Sequence, residues 1–177
     1  MPETSTLDLT KFVRDIPDFP KPGIVFKDIT PLLLNHEAFS LTIDRFAEAF
    51  ADQQIDVIAA AEARGFLFAA PLALNMGVGM VPIRKPGKLP YEKHSHSYDL
   101  EYGSDTLEMH IDGIEEGQNV LVVDDLLATG GTVQACCQMI DACKAHIVAC
   151  AFLIELKFLG GAEKLAGKET FSLIQYD

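Results

Sequence analysis

Regular alternation of apolar and polar positions begins only after a polar, proline-broken opening. Val13 to Pro22 is rich in Pro and Asp, and Ile24-Val25-Phe26 makes a short extended run. Phe39, Ile43, Phe46 and Phe50 then recur at helical spacing within Glu37 to Asp52, and Asn35 stands where its side chain can cap that helix. Asp56 to Ala61 reads as a buried strand, followed by Glu62-Ala63-Arg64-Gly65 and an apolar helix to Asn75. Pro71 falls inside that segment, so the helix either starts there or bends there. Met80 to Arg84 predicts a strand and Pro86 to Ser95 a loop. Tyr98 to Tyr102 and Thr106 to Ile111 alternate in polarity around Gly103-Ser104-Asp105, the pattern of a hairpin. Asn119 to Val123 predicts a buried strand, Thr132 to Cys143 a helix, Ile147 to Ile154 a strand, and Phe171 to Ile174 a last short one.

Strands that alternate with helices and are apolar on both faces predict an α/β fold, a central, mainly parallel sheet covered by helices. The 177 residues suit one domain. Sheets of this kind bind ligands beyond the carboxyl ends of their strands, so each strand end is a candidate site.

Charge narrows the function. The net charge of −12 argues against a nucleic-acid partner. No apolar run is long enough to span a membrane, and Met1 to Thr10 carries Glu3 and Asp8 without a basic or apolar start, so a cytoplasmic location is expected. The charges are unevenly placed. Arg84, Lys85, Lys88 and Lys93 fall close together, whereas His94 to Cys143 holds no Lys or Arg and carries nine acids by Asp125. Such a division suits a ligand with phosphates at one end and hydroxyls or a metal at the other. The four cysteines lack zinc-ligand spacing. Val133, Cys136, Cys137 and Ile140 share one helical face, which makes two of those cysteines core residues.

The sharpest motif is Val-Leu-Val-Val-Asp-Asp-Leu-Leu-Ala-Thr-Gly-Gly-Thr, Val120 to Thr132. A buried strand runs into two adjacent carboxylates, then into small residues, a double glycine and a helix start. Helix N-termini present free N–H groups and a dipole that favours an anion. The loop lacks the Lys of a nucleoside-triphosphate loop and the three glycines of a dinucleotide fold. Asp124 and Asp125 would repel a phosphate unless they bind something else; vicinal ribose hydroxyls and a magnesium ion, directly or through water, are suitable.

This segment resembles the phosphoribosyl pyrophosphate motif of the type I phosphoribosyltransferases. The resemblance implies that Asp124 and Asp125 hold the ribose hydroxyls, with magnesium near them, and that Ala128, Thr129, Gly130, Gly131 and Thr132 wrap the 5′-phosphate. Arg64, beside Gly65, and the basic loop with Arg84, Lys85 and Lys88 correspond to the family's pyrophosphate sites. Ser97-Tyr98-Asp99-Leu100-Glu101-Tyr102-Gly103 resembles the flexible lid of adenine phosphoribosyltransferases in particular, which makes Glu101 the group that manages the base's proton and Tyr102 a cover for pyrophosphate. Phe19 to Leu33 resembles their base-binding hood. Phe26 and Leu126 then sandwich adenine, while the backbones of Val25 and Lys27 read its amino edge. Lys27 replaces the arginine expected there. The implied organisation is an arm and hood over residues 1–35 and a core over 36–177 that includes a lid at 86–111. The implied reaction joins adenine to phosphoribosyl pyrophosphate, giving AMP and pyrophosphate, in a homodimer. The alternatives are the same chemistry on a 6-oxo purine and a non-catalytic sensor of the donor.

Overall fold

A 3-10 turn, Leu9–Phe12, opens the computed structural model, which describes residues 7–99 and 104–177. Two short antiparallel strands follow, β1 (Arg14–Pro17) and β2 (Val25–Asp28), with Asp15 opposite Lys27 and Ile16 opposite Phe26. The sequence pattern predicts only the second of them, because β1 carries Asp and Pro and its register comes from its partner. Helix α1 (Thr30–Leu34) is likewise unpredicted. It ends at Asn35, whose side chain accepts the Ala38 N–H at 2.9 Å and so caps α2 (His36–Ala49).

Strand β3 (Val57–Ala61) is buried throughout. Helix α3 (Gly65–Met76) starts six residues ahead of Pro71, so the proline does not begin the helix. Proline removes one N–H and frees the carbonyl four residues earlier. That residue is Leu67, which is exposed, so water can satisfy its carbonyl. Strand β4 (Gly79–Ile83) leads to a hairpin of β5 (Lys93–Asp99) and β6 (Ser104–His110). Lys93, His94 and Ser95, expected in a loop, are paired with His110, Met109 and Glu108. Their polar sequence hides the strand, since the apolar side of the hairpin is supplied by Leu107 and Met109 on β6. The predicted turn at Gly103 lies outside the described residues, and Ser104 and Asp105 belong to β6.

The chain finishes with β7 (Asn119–Leu127), α4 (Gly131–Ala142), β8 (His146–Leu156), a short α5 (Gly161–Lys164) and β9 (Thr170–Tyr176). Five strands form one parallel sheet in the order β4-β3-β7-β8-β9. Phe46, Phe68 and Leu72 of α2 and α3 cover one face. Val133, Cys136, Cys137 and Ile140 of α4 cover the other and are all buried, as their helical spacing predicts. Cys137 and Cys150 sulfurs lie 3.6 Å apart in that layer. The arrangement brings the carboxyl ends of β3, β4 and β7 side by side.

Candidate active site

Strand β7 delivers the acid pair and then a tight loop to the start of α4. Gly130 has φ 79°, and a Cβ built on it would lie 2.6 Å from the Gly161 carbonyl oxygen. A Cβ on Gly161 would lie 2.2 Å from the Ala128 carbonyl oxygen. The loop and the Gly160-Gly161 turn therefore pack backbone on backbone, which side chains would prevent. Sequence reasoning gave the later turn no role, because its contact with Ala128 and Gly130 spans some thirty positions. No side chain caps α4 among the described residues, so its first N–H groups stay available. They border a cavity of about 120 Å³ lined by Asp124, Leu126 and residues 128–133. The 5′-phosphate residues expected from the sequence, Ala128, Thr129, Gly130, Gly131 and Thr132, all line it.

Asp124 and Asp125 are placed differently. Asp124 lines the cavity, its Oδ1 accepts the Asp125 N–H at 2.8 Å, and a Cβ on Gly65 would crowd the same oxygen at 2.9 Å. Burial, and then the Asp125 charge, push the Asp124 carboxyl well above its ordinary range. Asp125 is buried, and its Oδ2 lies 3.0 Å from Arg64 Nε. Burial raises its carboxyl too, with Arg64 working against the rise. Two carboxyls that are costly to ionise together, with one arginine paired to the second, fit a site completed by hydroxyl donors or a hard cation. Among the described residues no three His, Cys, Asp or Glu side chains converge on a metal position, so a magnesium ion here would draw its other ligands from substrate and water.

The cations expected to meet pyrophosphate are each engaged by a carboxylate. Arg64 pairs with Asp125. The turn ahead of it opens with a cis peptide between Glu62 and Ala63. Arg84 Nε donates to Glu62 at 2.8 Å, and Lys88 Nζ to the same carboxylate at 2.6 Å. Burial works to raise the Glu62 carboxyl, and the bonds from Lys88 and Arg84 overcome it, so Glu62 titrates below the usual range. Lys85 is paired with Asp105 of β6. Tyr98 Oη reaches Asp105 at 3.3 Å and Thr132 Oγ1 at 3.4 Å, which links the hairpin to the phosphate loop. Glu108 accepts from Lys93 at 3.1 Å and from the Gly87 N–H at 3.0 Å, while its backbone pairs with that of Arg84. Glu62, Asp105 and Glu108 were not singled out from the sequence. Their partners lie some 15–26 positions away, beyond any local pattern.

On the base side, Phe26 packs edge-on to Phe19 at 5.2 Å, and the Arg64 guanidinium sits over its ring at 5.1 Å. Arg64 thus touches both the ring expected to stack on a base and the acid pair. Val25 is exposed, and Leu126 lines the phosphate cavity beside Asp124. The Lys27 ammonium turns away toward Asp15 and Tyr176. Glu101 and Tyr102 lie outside the described residues. A larger hollow of about 430 Å³ lies at the opposite ends of β3 and β4, where Glu48 is the one charged residue among the described residues that line it. Among the described residues it offers no cation to a phosphate, so the smaller cavity, with its uncapped helix N-terminus and Asp124, is the candidate chemical site.

Comparisons with known proteins agree with this geometry. Residues 32–170 match the phosphoribosyl transferase domain. An adenine phosphoribosyltransferase of Rhodopirellula baltica is 58% identical over 170 residues, 96% of this chain and 82% of the relative. Another, of Maridesulfovibrio salexigens, is 56% identical over 96% of this chain and 99% of its own length. The crystal structure of adenine phosphoribosyltransferase from Thermoanaerobacter pseudethanolicus superposes with a TM-score of 0.93 at 52% identity, covering 95% of this chain and 98% of that one. That of the Saccharomyces cerevisiae enzyme, complexed with an imino-altritol bisphosphate and adenine, gives 0.88 at 41% identity, covering 93% and 96%. These matches run across nearly the whole chain, and the chain belongs to the adenine phosphoribosyltransferase family.

Proposed function

We propose that the protein transfers the phosphoribosyl group of phosphoribosyl pyrophosphate to adenine, giving AMP and pyrophosphate in purine salvage. The observation that carries this reading is the convergence of the uncapped α4 N-terminus, the acid pair and Arg64 at the carboxyl ends of the strands. The 5′-phosphate sits in the loop 128–132, where the helix dipole contributes about 0.3–1 kcal/mol per charge and the loop N–H groups and Thr hydroxyls add hydrogen bonds. The ribose hydroxyls donate to Asp124 and Asp125, which relieves two crowded carboxyls. Pyrophosphate takes Arg64, Arg84, Lys85 and Lys88, drawing them from Asp125, Glu62 and Asp105. Those carboxylates keep the cations at the site before substrate arrives, and binding exchanges one set of anionic partners for another.

Adenine lies between Phe26 and Leu126, with its amino edge read by the backbone of residues 25 and 27. A site built for an amino group rejects a carbonyl, because buried polar groups would be left unpaired. As the bond from the anomeric carbon to pyrophosphate breaks, positive charge develops on the sugar, and the acid pair lies on that side. The base ring nitrogen bonds to the anomeric carbon and loses its proton to Glu101. The hairpin carrying Glu101 and Tyr102 acts as a lid that keeps water from the cation-like sugar. Asp124 and Asp125 would hold a magnesium ion, directly or through water, and the ion would supply charge neutralisation for the donor.

The arm and first two strands serve as the hood. Helix α3 is apolar on its outward side as well, exposing Leu67 and Leu74, and this supports a homodimer that covers it. No described helix is long and apolar enough to cross a membrane, and all four cysteines are free thiols, which suits the reducing cytoplasm. The test is a calorimetric titration of phosphoribosyl pyrophosphate with magnesium. Competition by both ribose 5-phosphate and pyrophosphate is expected from a two-ended site; competition by neither would overturn it.

A further inference from the structure

Lys27 stands where an arginine was expected, and its side chain takes no part in the site described above. Its ammonium lies 2.7 Å from Asp15 on the neighbouring strand and 3.8 Å from the centre of the Tyr176 ring. The Lys27 side chain is only 11% exposed, so the contact is a seated one rather than a surface approach. Tyr176 ends β9, the edge strand of the central sheet, while Lys27 belongs to the small β1–β2 sheet. The cation therefore bridges two separate sheets. Desolvated cation–ring contacts are worth more than exposed ones.

A second cation–ring contact joins the same two bodies with the roles reversed, Arg64 of the core lying over Phe26 of β2. The two differ in what substrate does to them. Arg64 is shared with Asp125 and is expected to meet pyrophosphate, so its hold on Phe26 changes during turnover. Among the described residues, the Lys27, Asp15 and Tyr176 side chains meet one another, and they connect to the residues assigned to substrate through the backbone of β2. Their contact persists while Arg64 is drawn away.

We propose that Lys27 is a positioning residue for the base: its ammonium, seated between Asp15 and the Tyr176 ring, docks the small sheet on the end of β9 and fixes the height at which Phe26 and the backbone of residues 25 and 27 meet adenine. This rests on the hood reading of Phe26 given above. Undocking lowers the fraction of molecules competent to bind base, and apparent affinity falls by that fraction. The 5′-phosphate and ribose parts of the donor site are built on β7 and α4, and the small sheet meets the pyrophosphate side through Arg64 over Phe26.

The test is kcat and KM for adenine and for phosphoribosyl pyrophosphate in Lys27→Met, Lys27→Arg, Tyr176→Leu, Tyr176→Phe and Phe26→Ala. Lys27→Met and Tyr176→Leu are each expected to raise the adenine KM about 5- to 30-fold, equivalent to about 1–2 kcal/mol. The donor KM should move by less than about twofold, since pyrophosphate draws Arg64 from Phe26 in wild type and variant alike. Lys27→Arg should recover most of the adenine affinity, and Tyr176→Phe, which keeps the ring face, should match wild type. The double variant Lys27→Met with Tyr176→Leu should be no worse than either alone. Amide exchange over residues 14–28 should quicken while β7 and β8 stay protected. An unchanged adenine KM in both Lys27→Met and Tyr176→Leu, equal rises in both KM values, or a Tyr176→Phe defect as large as that of Tyr176→Leu would each overturn the proposal. A wild-type adenine KM in Phe26→Ala would instead overturn the hood reading, and absence of AMP from the wild-type protein would overturn the proposed reaction.

Discussion

Replacing Gly161 by alanine tests whether the turn behind the phosphate loop shapes the site. The new Cβ would lie 2.2 Å from the Ala128 carbonyl oxygen, where ordinary contact begins at 3.4 Å, so the two backbones must part by about 1.2 Å. Leu127 Cδ1, at 3.0 Å, closes a second direction of escape. The loop that moves is the one whose N–H groups face the phosphate cavity. A misplacement of about 1 Å costs roughly 10²-fold in rate, so kcat/KM for phosphoribosyl pyrophosphate should fall by about that factor. Overpacking of this kind costs about 1–3 kcal/mol, which lowers Tm by about 3–10 °C for a chain of this length. The neighbouring Gly160→Ala is the control. Its φ is 64°, so strain of about 1–2 kcal/mol is expected, but the nearest atom to its Cβ is 3.7 Å away. It should lose stability and keep kcat/KM within about threefold of wild type, as a change that leaves the loop in place would. Steady-state kinetics with varied donor, beside thermal melts, reads both. A folded Gly161→Ala protein with donor kcat/KM within about threefold of wild type would refute the argument that this turn sets the loop.

Asp125→Asn removes the charge that faces Arg64 and should weaken donor binding about 10- to 100-fold, the worth of a charge-assisted hydrogen bond; unchanged affinity by titration would remove the ribose role. Glu101→Gln should lower turnover by about 10²–10⁴ without a matching loss of donor binding, and a loss under about threefold would take Glu101 out of the chemistry. Cys137→Ser should leave activity nearly intact, since its thiol packs in the α4 layer away from the phosphate cavity; complete loss in a folded protein would contradict a structural role. Asp28 is held down to about 2 from 3.8 by the Thr30 N–H, then Arg14 and the Thr30 hydroxyl. Its folded-state value is depressed, so its contribution is present above pH 3.8 and disappears as pH falls through about 2. Amide exchange over residues 14–34 should therefore rise across that window in wild type and vary less in Asp28→Asn, and an identical acid response in both would count against this linkage.

What could be read from the sequence was local. The run from Val120 to Thr132 carries strand, acid pair, loop and helix start in one stretch, and the structure places them in that order. The parallel sheet covered by helices followed from alternation, because β3 and β7 are apolar on both faces. Strand β5 was not legible: Lys93-His94-Ser95 shows no apolar period, and its pairing with β6 supplies what its own residues do not. Proline inside α3 suggested a start or bend, but the helix begins at Gly65, with the freed carbonyl on an exposed residue. The carboxylates that hold the cations escaped notice for a different reason. Glu62 meets Arg84 and Lys88 only when β3 and β4 end side by side, and Asp105 meets Lys85 only when the hairpin folds against β4. The same holds for Gly161 behind the loop and for Lys27 on Tyr176, where sequence gives the residue but not the direction of its side chain.

The most direct measurement is product formation from phosphoribosyl pyrophosphate and magnesium with adenine, hypoxanthine, guanine or no base. AMP and pyrophosphate from adenine, with little or no nucleotide from the 6-oxo purines, is the predicted result. IMP or GMP in place of AMP would contradict the base assignment while leaving the donor site standing, and no nucleotide from any base, with donor binding intact, would contradict catalysis itself.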